Sequence, residues 1–311
     1  MTEPAAAPPR GGRHPALPGE PFRPLDDAGA ARFDPLIAQA LAEDIGRGDV
    51  TTNAVIDADV RWSGRIVARS AGVVAGLPIA ARVFRAVDPR IEVKPLVDDG
   101  TRVSEGASLA TVSGPARGLL NAERVALNLL GRMSGVATLT RRYVDAVGGL
   151  PARIADTRKT TPGLRALERY AVRAGGGSNH RPDLGAAVLI KDNHLAAAGS
   201  VAVAVAKARA QAPPGIVIEV ECDDLDQVRE ALAAGADAVL LDNMDVPAMK
   251  AAVGLAAGRA SVEASGGISL ERVRDVAAAG VDVVSAGALT HSAPALDVAL
   301  DFDRRPANQA I

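Results

Sequence analysis

The chain has 311 residues, a length that suits about two domains, with 35 Lys+Arg against 37 Asp+Glu and a formal net charge of -2. That balance gives no chain-wide attraction to nucleic acid or acidic membranes, and 2% aromatic residues leave few rings on which single-stranded bases could stack. An apolar content of 48% excludes a disordered chain, while a single cysteine, Cys222, excludes an internal disulfide or an all-cysteine zinc site and fits a reducing compartment.

No stretch approaches the ~20 consecutive apolar residues of a transmembrane helix. The first thirty-odd residues are rich in Pro, Ala, Gly and Arg and lack the apolar centre of a signal peptide. Residues 1–32 therefore read as a disordered extension that includes His14, and the protein as cytoplasmic. The folded part is expected to start near Phe33 with a short helix over residues 35–43, followed by a glycine-containing loop, 44–52.

Between residues 61 and 113 the pattern is one of short β-runs: 64–70, 72–75, 91–96 and 107–112. The glycine-punctuated piece 99–109 resembles the hairpins of biotinyl and lipoyl carriers, but no lysine lies between Gly100 and Gly114 to carry a group. It reads as a structural β-module. Residues 119–147 show helical apolar spacing through Leu119, Leu120, Leu127, Leu130 and Met133, with an interruption expected at Gly131 or Gly135. This helix links the two domains.

From Ala152 onward, apolar strand-length runs alternate with Ala-rich helical stretches. The expected strands are 152–156, 186–191, 216–221, 238–242, 261–264 and 281–285; the expected helices are 164–174, 201–212, 225–234, 247–257 and 270–279. Two helix-to-strand junctions, residues 233–237 and 278–282, are near copies, each ending a helix on glycine and followed by aspartate. Strict βα alternation points to an α/β fold with an incomplete parallel barrel of about six strands. A doubly wound open sheet is the weaker alternative, because no glycine fingerprint opens the first βα turn.

Barrel chemistry belongs at the C-terminal ends of the strands, and those ends sort by charge. Arg158, Lys159, His180, Arg181 and Lys191 form a cationic group suited to a highly charged anion. Glu219, Glu221 and Asp242 form an acidic group suited to Mg²⁺ or sugar hydroxyls; Glu219 and Glu221, two apart, share one side of their strand, and one of them is open to simple pairing with a barrel cation. The Ser265-Gly266-Gly267 turn and Gly287 offer backbone N–H groups at helix N-termini as a phosphate cradle. Together these residues call for a phosphorylated sugar, a metal and an anionic second substrate. His194 reads as a loop-ordering residue, and a Schiff-base role for Lys191 stays open beside its ion-pairing role.

Segments 156–164, 175–181 and 188–194 resemble the signature of the quinolinate phosphoribosyltransferase family, and the likeness extends to 43–52, 120–124, Ser134-Gly135, 219–221, 264–268 and 287–292. The resemblance implies conversion of quinolinate and phosphoribosyl pyrophosphate to nicotinate mononucleotide, pyrophosphate and CO₂ with Mg²⁺, in NAD biosynthesis. It also implies an N-terminal α+β open-faced sandwich over 33–147, a phosphoribosyltransferase barrel over 148–292, and a C-terminal helix or tail, 293–311, packing back on the N-terminal domain. The assembly implied is a dimer with composite sites, or a hexamer of such dimers. Carried over for quinolinate are Thr157, Arg158, His180, Arg181 and Lys191, with Arg124 reaching in from the neighbouring subunit. Lys159, Glu221, Asp242, Ser265, Gly266, Gly267, Gly287 and His291 match positions around the phosphoribosyl pyrophosphate; Lys159, Glu221 and Asp242 would act in catalysis and Glu221 and Asp242 would hold the metal. Where the family usually has Gly and Asp two and five residues after the arginine, this chain has Asp183 and Ala186. A nicotinate-using transferase, a barrel lyase and a nonenzymatic sensor are the rival readings; the full set of cations and carboxylates favours the decarboxylating transferase.

Overall fold

The structure, a computed structural model, describes residues 22–303. Helices α1 (Asp27–Ala31), α2 (Asp34–Ile45) and α3 (Val50–Val55) precede strands β1 (Arg61–Ala68) and β2 (Gly72–Val73). Then come α4 (Leu77–Val87), β3 (Glu92–Pro95), β4 (Arg102–Val103), β5 (Ser108–Pro115) and the long α5 (Ala116–Ala146). The βα series follows: β6 (Arg153–Ala155), α6 (Arg165–Ala174), β7 (Val188–Ile190), α7 (Asp192–Ala198), α8 (Val201–Gln211), β8 (Ile218–Cys222), α9 (Leu225–Ala233), β9 (Ala238–Asp242), α10 (Val246–Ala256), β10 (Ser261–Ser265), α11 (Val273–Ala278), β11 (Val283–Ser285) and α12 (Ala288–His291). Strand β12 (Val298–Phe302) closes the described chain.

The chain divides into two compact units. Among the described residues, one takes 22–139, 162–176 and 293–303. Its antiparallel sheet has the order β12-β1-β5-β3, beside a small β2-β4 pair. Helix α4 starts after Gly76, carries a proline in its first turn, and buries Ile79, Ala80, Val83 and Phe84. The Asp99 carboxylate accepts the N–H groups of Gly76 and Leu77 at 2.7 and 3.1 Å, satisfying donors that a helix start leaves open, and also accepts the Tyr170 hydroxyl at 2.7 Å. Burial pushes the Asp99 carboxyl pKa up against these three bonds.

Several expectations for this unit are corrected. Residues 22–32 are part of the fold: Asp26 caps α1, Ala30 is fully buried, and the Phe22 ring packs on Tyr170 at 5.3 Å between centroids. Residues 1–21, with His14, lie outside the described residues. The expected loop 44–52 runs into α3, which Asp49 caps by accepting the Thr52 N–H. A whole helix, α4, replaces part of the expected β-region. Helix α5 continues without a break through Gly131 and Gly135. These glycines leave room for the C-terminal segment: a Cβ at Gly135 would stand 2.0 Å from the Pro294 carbonyl oxygen, and the Gly131 carbonyl accepts the Leu296 N–H. That segment belongs to this unit, but it forms strand β12, antiparallel to β1, where a helix or tail was expected.

The second unit takes residues 140–161 and 177–292 among those described. Its six parallel strands have the order β6-β11-β10-β9-β8-β7. β7 does not close onto β6; instead residue Ser178 forms an isolated parallel bridge with Ala155 on the free side of β6. The duplicated junctions serve one purpose. Asp237 and Asp282 accept the N–H groups of Ile218 and Val262, the first residues or near-first residues of the preceding strands, while Gly235 and Gly280 take φ +81° and +94°. Ser200, Asp224 and Asp245 cap α8, α9 and α10. Among the described residues no helix is long and apolar enough to cross a membrane.

Candidate active site

Strand periodicity builds the site. Ile218, Val220, Val239, Leu241, Val262 and Val284 are buried apolar residues on one parity. The opposite parity carries Leu189, Glu221, Leu240, Asp242, Glu263, Ser265 and Ser285, all lining one cavity of about 580 Å³. Register places Ser265 beside Asp242, and the Glu221–Leu240 pair one step further along the sheet. The cavity also takes in Thr157, Arg158, Lys159, His180, Arg181, Lys191, Gly266, Gly267, Gly287 and His291. The sequence-predicted site residues are thus gathered there except Glu219, which is buried beneath it, and Arg124, which is exposed on α5 in the other unit.

The cationic end is held by a buried carboxylate. Asp156, fully buried after β6, accepts the His180 N–H at 2.7 Å and the Asn179 amide at 2.6 Å. This tethers the segment that carries His180 and Arg181. Arg181 is itself buried and donates from Nη1 to the Ala187 carbonyl at 2.9 Å. Burial, and then the neighbouring Arg158 guanidinium, lower the Arg181 pKa, so the cation cluster carries mutual repulsion that an anion would relieve. Asp183 accepts the Gly185 N–H at 2.9 Å, and Ala186 is exposed.

His180 has both ring nitrogens engaged. Nδ1 accepts the Arg181 N–H at 2.8 Å, and Nε2 faces the buried carboxylates of Glu219 and Glu263 at 3.4 and 3.3 Å. Burial lowers its pKa and the carboxylates of Glu263 and Glu219 raise it, with a net upward shift, while the Arg181 N–H at Nδ1 opposes a second ring proton. The N–H aimed at Nδ1 fixes the first ring proton on Nε2, between the two acids. Both members of the acidic pair meet a barrel cation: Glu219 faces His180 below the cavity, and Glu221 lines the cavity beside Lys191. The ligand atoms of His180, Glu219 and Glu263 lie within 4.8 Å of one another, and the imidazole already stands at ion-pair distance from both acids.

Between the cationic residues and the carboxylates, Lys191 and Glu221 form an ion pair through Nζ and Oε2. His194 orders the same corner by accepting the Lys191 N–H at 2.9 Å. Asp242 accepts the Asn243 amide at 2.9 Å, and Asn243 takes a left-handed φ of +53° that turns the chain against Ser265. Gly266, at φ +82°, lies so close that a Cβ would meet Asn243 Oδ1 at 2.4 Å and Asp242 Oδ1 at 2.7 Å. The Ser265-Gly266-Gly267 turn is not at a helix N-terminus, because α11 starts only at Val273; its shape is instead pinned by the Tyr143 hydroxyl, which donates to the Ile268 carbonyl at 3.2 Å. Gly287 does open a helix, the short α12, and its missing side chain makes room for Lys159, whose Cδ would stand 3.1 Å from a Cβ there. The Thr290 hydroxyl donates to the Lys159 carbonyl at 2.7 Å and fixes the loop.

Sequence reasoning missed Glu263, Ser285 and Tyr143 as lining residues. Glu263 was findable as a carboxylate two residues before Ser265, at the strand's side-chain period.

Two family models cover the chain: the quinolinate phosphoribosyl transferase N-terminal domain matches residues 49–134 and the C-terminal domain residues 136–301. A carboxylating nicotinate-nucleotide pyrophosphorylase of Mycobacterium leprae is 48% identical over 86% of this chain and 95% of its own. A probable enzyme of the same name from Synechocystis is 45% identical over 88% and 93%. The solved nicotinate-nucleotide pyrophosphorylase of Francisella tularensis superposes with a TM-score of 0.85, at 35% identity, covering 92% of this chain and all of that one. With both domain models in sequence order and relatives this similar along nearly their full length, the chain belongs to the quinolinate phosphoribosyltransferase family.

Proposed function

We infer that this cavity carries out decarboxylating phosphoribosyl transfer, joining quinolinate to phosphoribosyl pyrophosphate and releasing pyrophosphate and CO₂, with nicotinate mononucleotide as product. The observation that carries the reading is the sorting of one cavity into a cationic end, Arg158, Arg181 and Lys191, and an end of carboxylates and glycine turns, Glu221, Asp242, Gly266 and Gly287. A dicarboxylate beside a pyrophosphate concentrates negative charge that only several cations can offset.

Arg158, Arg181 and Lys191 grip the two carboxylates, and Thr157 adds a hydroxyl. His180 acts from beneath: with both nitrogens taken up by the protein, it holds Arg181 rather than the substrate. Arg124 of a second subunit completes the grip in a dimer, alone or within a hexamer. Lys159, His291 and the Ser265–Gly267 and Gly287 turns hold the phosphates. Glu221 and Asp242 supply the hard oxygen donors that Mg²⁺ prefers, and Mg²⁺ bound there would neutralise charge on the leaving pyrophosphate.

Fixing the quinolinate carboxylates aims its ring nitrogen at ribose C1. As the C1–O bond to pyrophosphate breaks, positive charge grows on the ribose, and the Glu221 and Asp242 carboxylates stabilise it. The new C1–N bond makes the ring nitrogen cationic. The electron pair of the breaking C2–carboxylate bond is then stabilised beside that nitrogen as CO₂ leaves, and a proton at C2 completes nicotinate mononucleotide. A cytoplasmic location belongs to the same reading. Calorimetric titration of the protein with quinolinate and with nicotinate tests the cationic end directly. Stronger binding of quinolinate, abolished by Arg181→Ala, is expected; equal binding of both would remove the dicarboxylate assignment.

A further inference from the structure

The ion pair between Lys191 and Glu221 joins the two ends of the site. Strands β7 and β8 pair in parallel, with Leu189 beside Glu219 and Ile190 beside Val220, so Lys191 and Glu221 continue the row at the rim. The backbone of Lys191 is fixed: its N–H donates to His194 Nδ1, and its carbonyl accepts the N–H groups of His194 and Leu195. Its side chain is 43% exposed, against 13% for Glu221. Lysine is therefore the arm that can swing, and glutamate the anchored partner. Asp242, the other carboxylate of that end, is held by Asn243 instead.

We propose that Glu221 restrains Lys191 in the free enzyme, so that each substrate, on binding, removes the partner that competes with the other. This rests on the assignment of Lys191 to quinolinate and Glu221 to the phosphoribosyl side. A dianion arriving among Arg158 and Arg181 draws the ammonium of Lys191 away from Glu221. Glu221 is then free to accept from a ribose hydroxyl or to meet a metal. In the other direction, a sugar or cation that engages Glu221 frees Lys191 for a carboxylate. The two affinities are linked, and each ligand tightens the other by the same factor.

The test is calorimetric titration of quinolinate alone, with no phosphoribosyl pyrophosphate and no metal, into wild type, Glu221→Gln, Lys191→Met, the double variant and Asp242→Asn, each checked for folding by its melting transition. Losing a partly exposed competing pair should make Glu221→Gln bind quinolinate about threefold to fivefold more tightly. Asp242→Asn, which removes the same charge from a group not paired with Lys191, should change it by less than about twofold. In the double variant the gain should vanish. Glu221→Ala should show the same direction, and it serves if the glutamine variant does not fold. Unchanged or weaker binding in both Glu221 variants overturns the proposal, as does a gain that survives Lys191→Met. If Lys191→Met alone leaves quinolinate affinity intact, the assignment of Lys191 to quinolinate fails, a result distinct from failure of the coupling.

Discussion

Replacing Asp156 with asparagine tests whether the cationic end is held from behind. The carboxylate is fully buried, and the donors it accepts include the His180 N–H at 2.7 Å and the Asn179 amide at 2.6 Å. An asparagine oxygen can keep one of them, while its NH₂ group faces the other donor. The loss combines one hydrogen bond to a charged group, about 1.5–3 kcal/mol, with a donor left unmet, about 1–3 kcal/mol, for a total of about 2.5–6 kcal/mol. Urea unfolding followed by circular dichroism reads that cost. The segment it releases carries Arg181, and displacing a gripping residue by about 1 Å can cost on the order of a hundredfold in rate. Initial-rate kinetics should therefore show the quinolinate KM raised at least about tenfold and that of phosphoribosyl pyrophosphate within about twofold. A variant within about 0.5 kcal/mol of wild type, or one that raises both KM values equally, would refute the tether.

Other consequences can be checked in parallel. Gly135→Ala should destabilise the protein although alanine favours helices by about 1 kcal/mol, because its Cβ meets the Pro294 carbonyl at 2.0 Å; a higher melting temperature would contradict this. If subunits share sites, mixing inactive Arg124→Ala and Arg181→Ala proteins and letting subunits exchange should restore about a quarter of wild-type activity; no recovery would exclude an arginine acting in trans.

The barrel strands were readable because β-branched runs of strand length alternate with alanine-rich helices, and the observed strands fall within about one or two residues of expectation at most ends. The site was readable for a related reason. Polar residues at every second position of apolar strands, such as Asp242 and Ser265, have little reason to be there except to face a ligand. Glu263 escaped notice because its one signal was the two-residue spacing to Ser265. In the other unit, α4 was hidden by the neighbouring Val73-Val74, which suggested more strand; Pro78 in its first turn was the available sign. The uninterrupted α5 could not be read locally, since Gly131 and Gly135 answer to residues 294–296, more than 150 positions away. For the same long-range reason β12 was not foreseen as the partner of β1.

The central claim is that one cavity both transfers the phosphoribosyl group and removes the 2-carboxylate. Its most direct test incubates the protein with phosphoribosyl pyrophosphate, Mg²⁺ and quinolinate labelled in the 2-carboxylate, and separately with nicotinate. Labelled CO₂ and nicotinate mononucleotide should form in equal amounts from quinolinate, with little nucleotide from nicotinate. Nucleotide from nicotinate alone, or CO₂ without nucleotide, would contradict it.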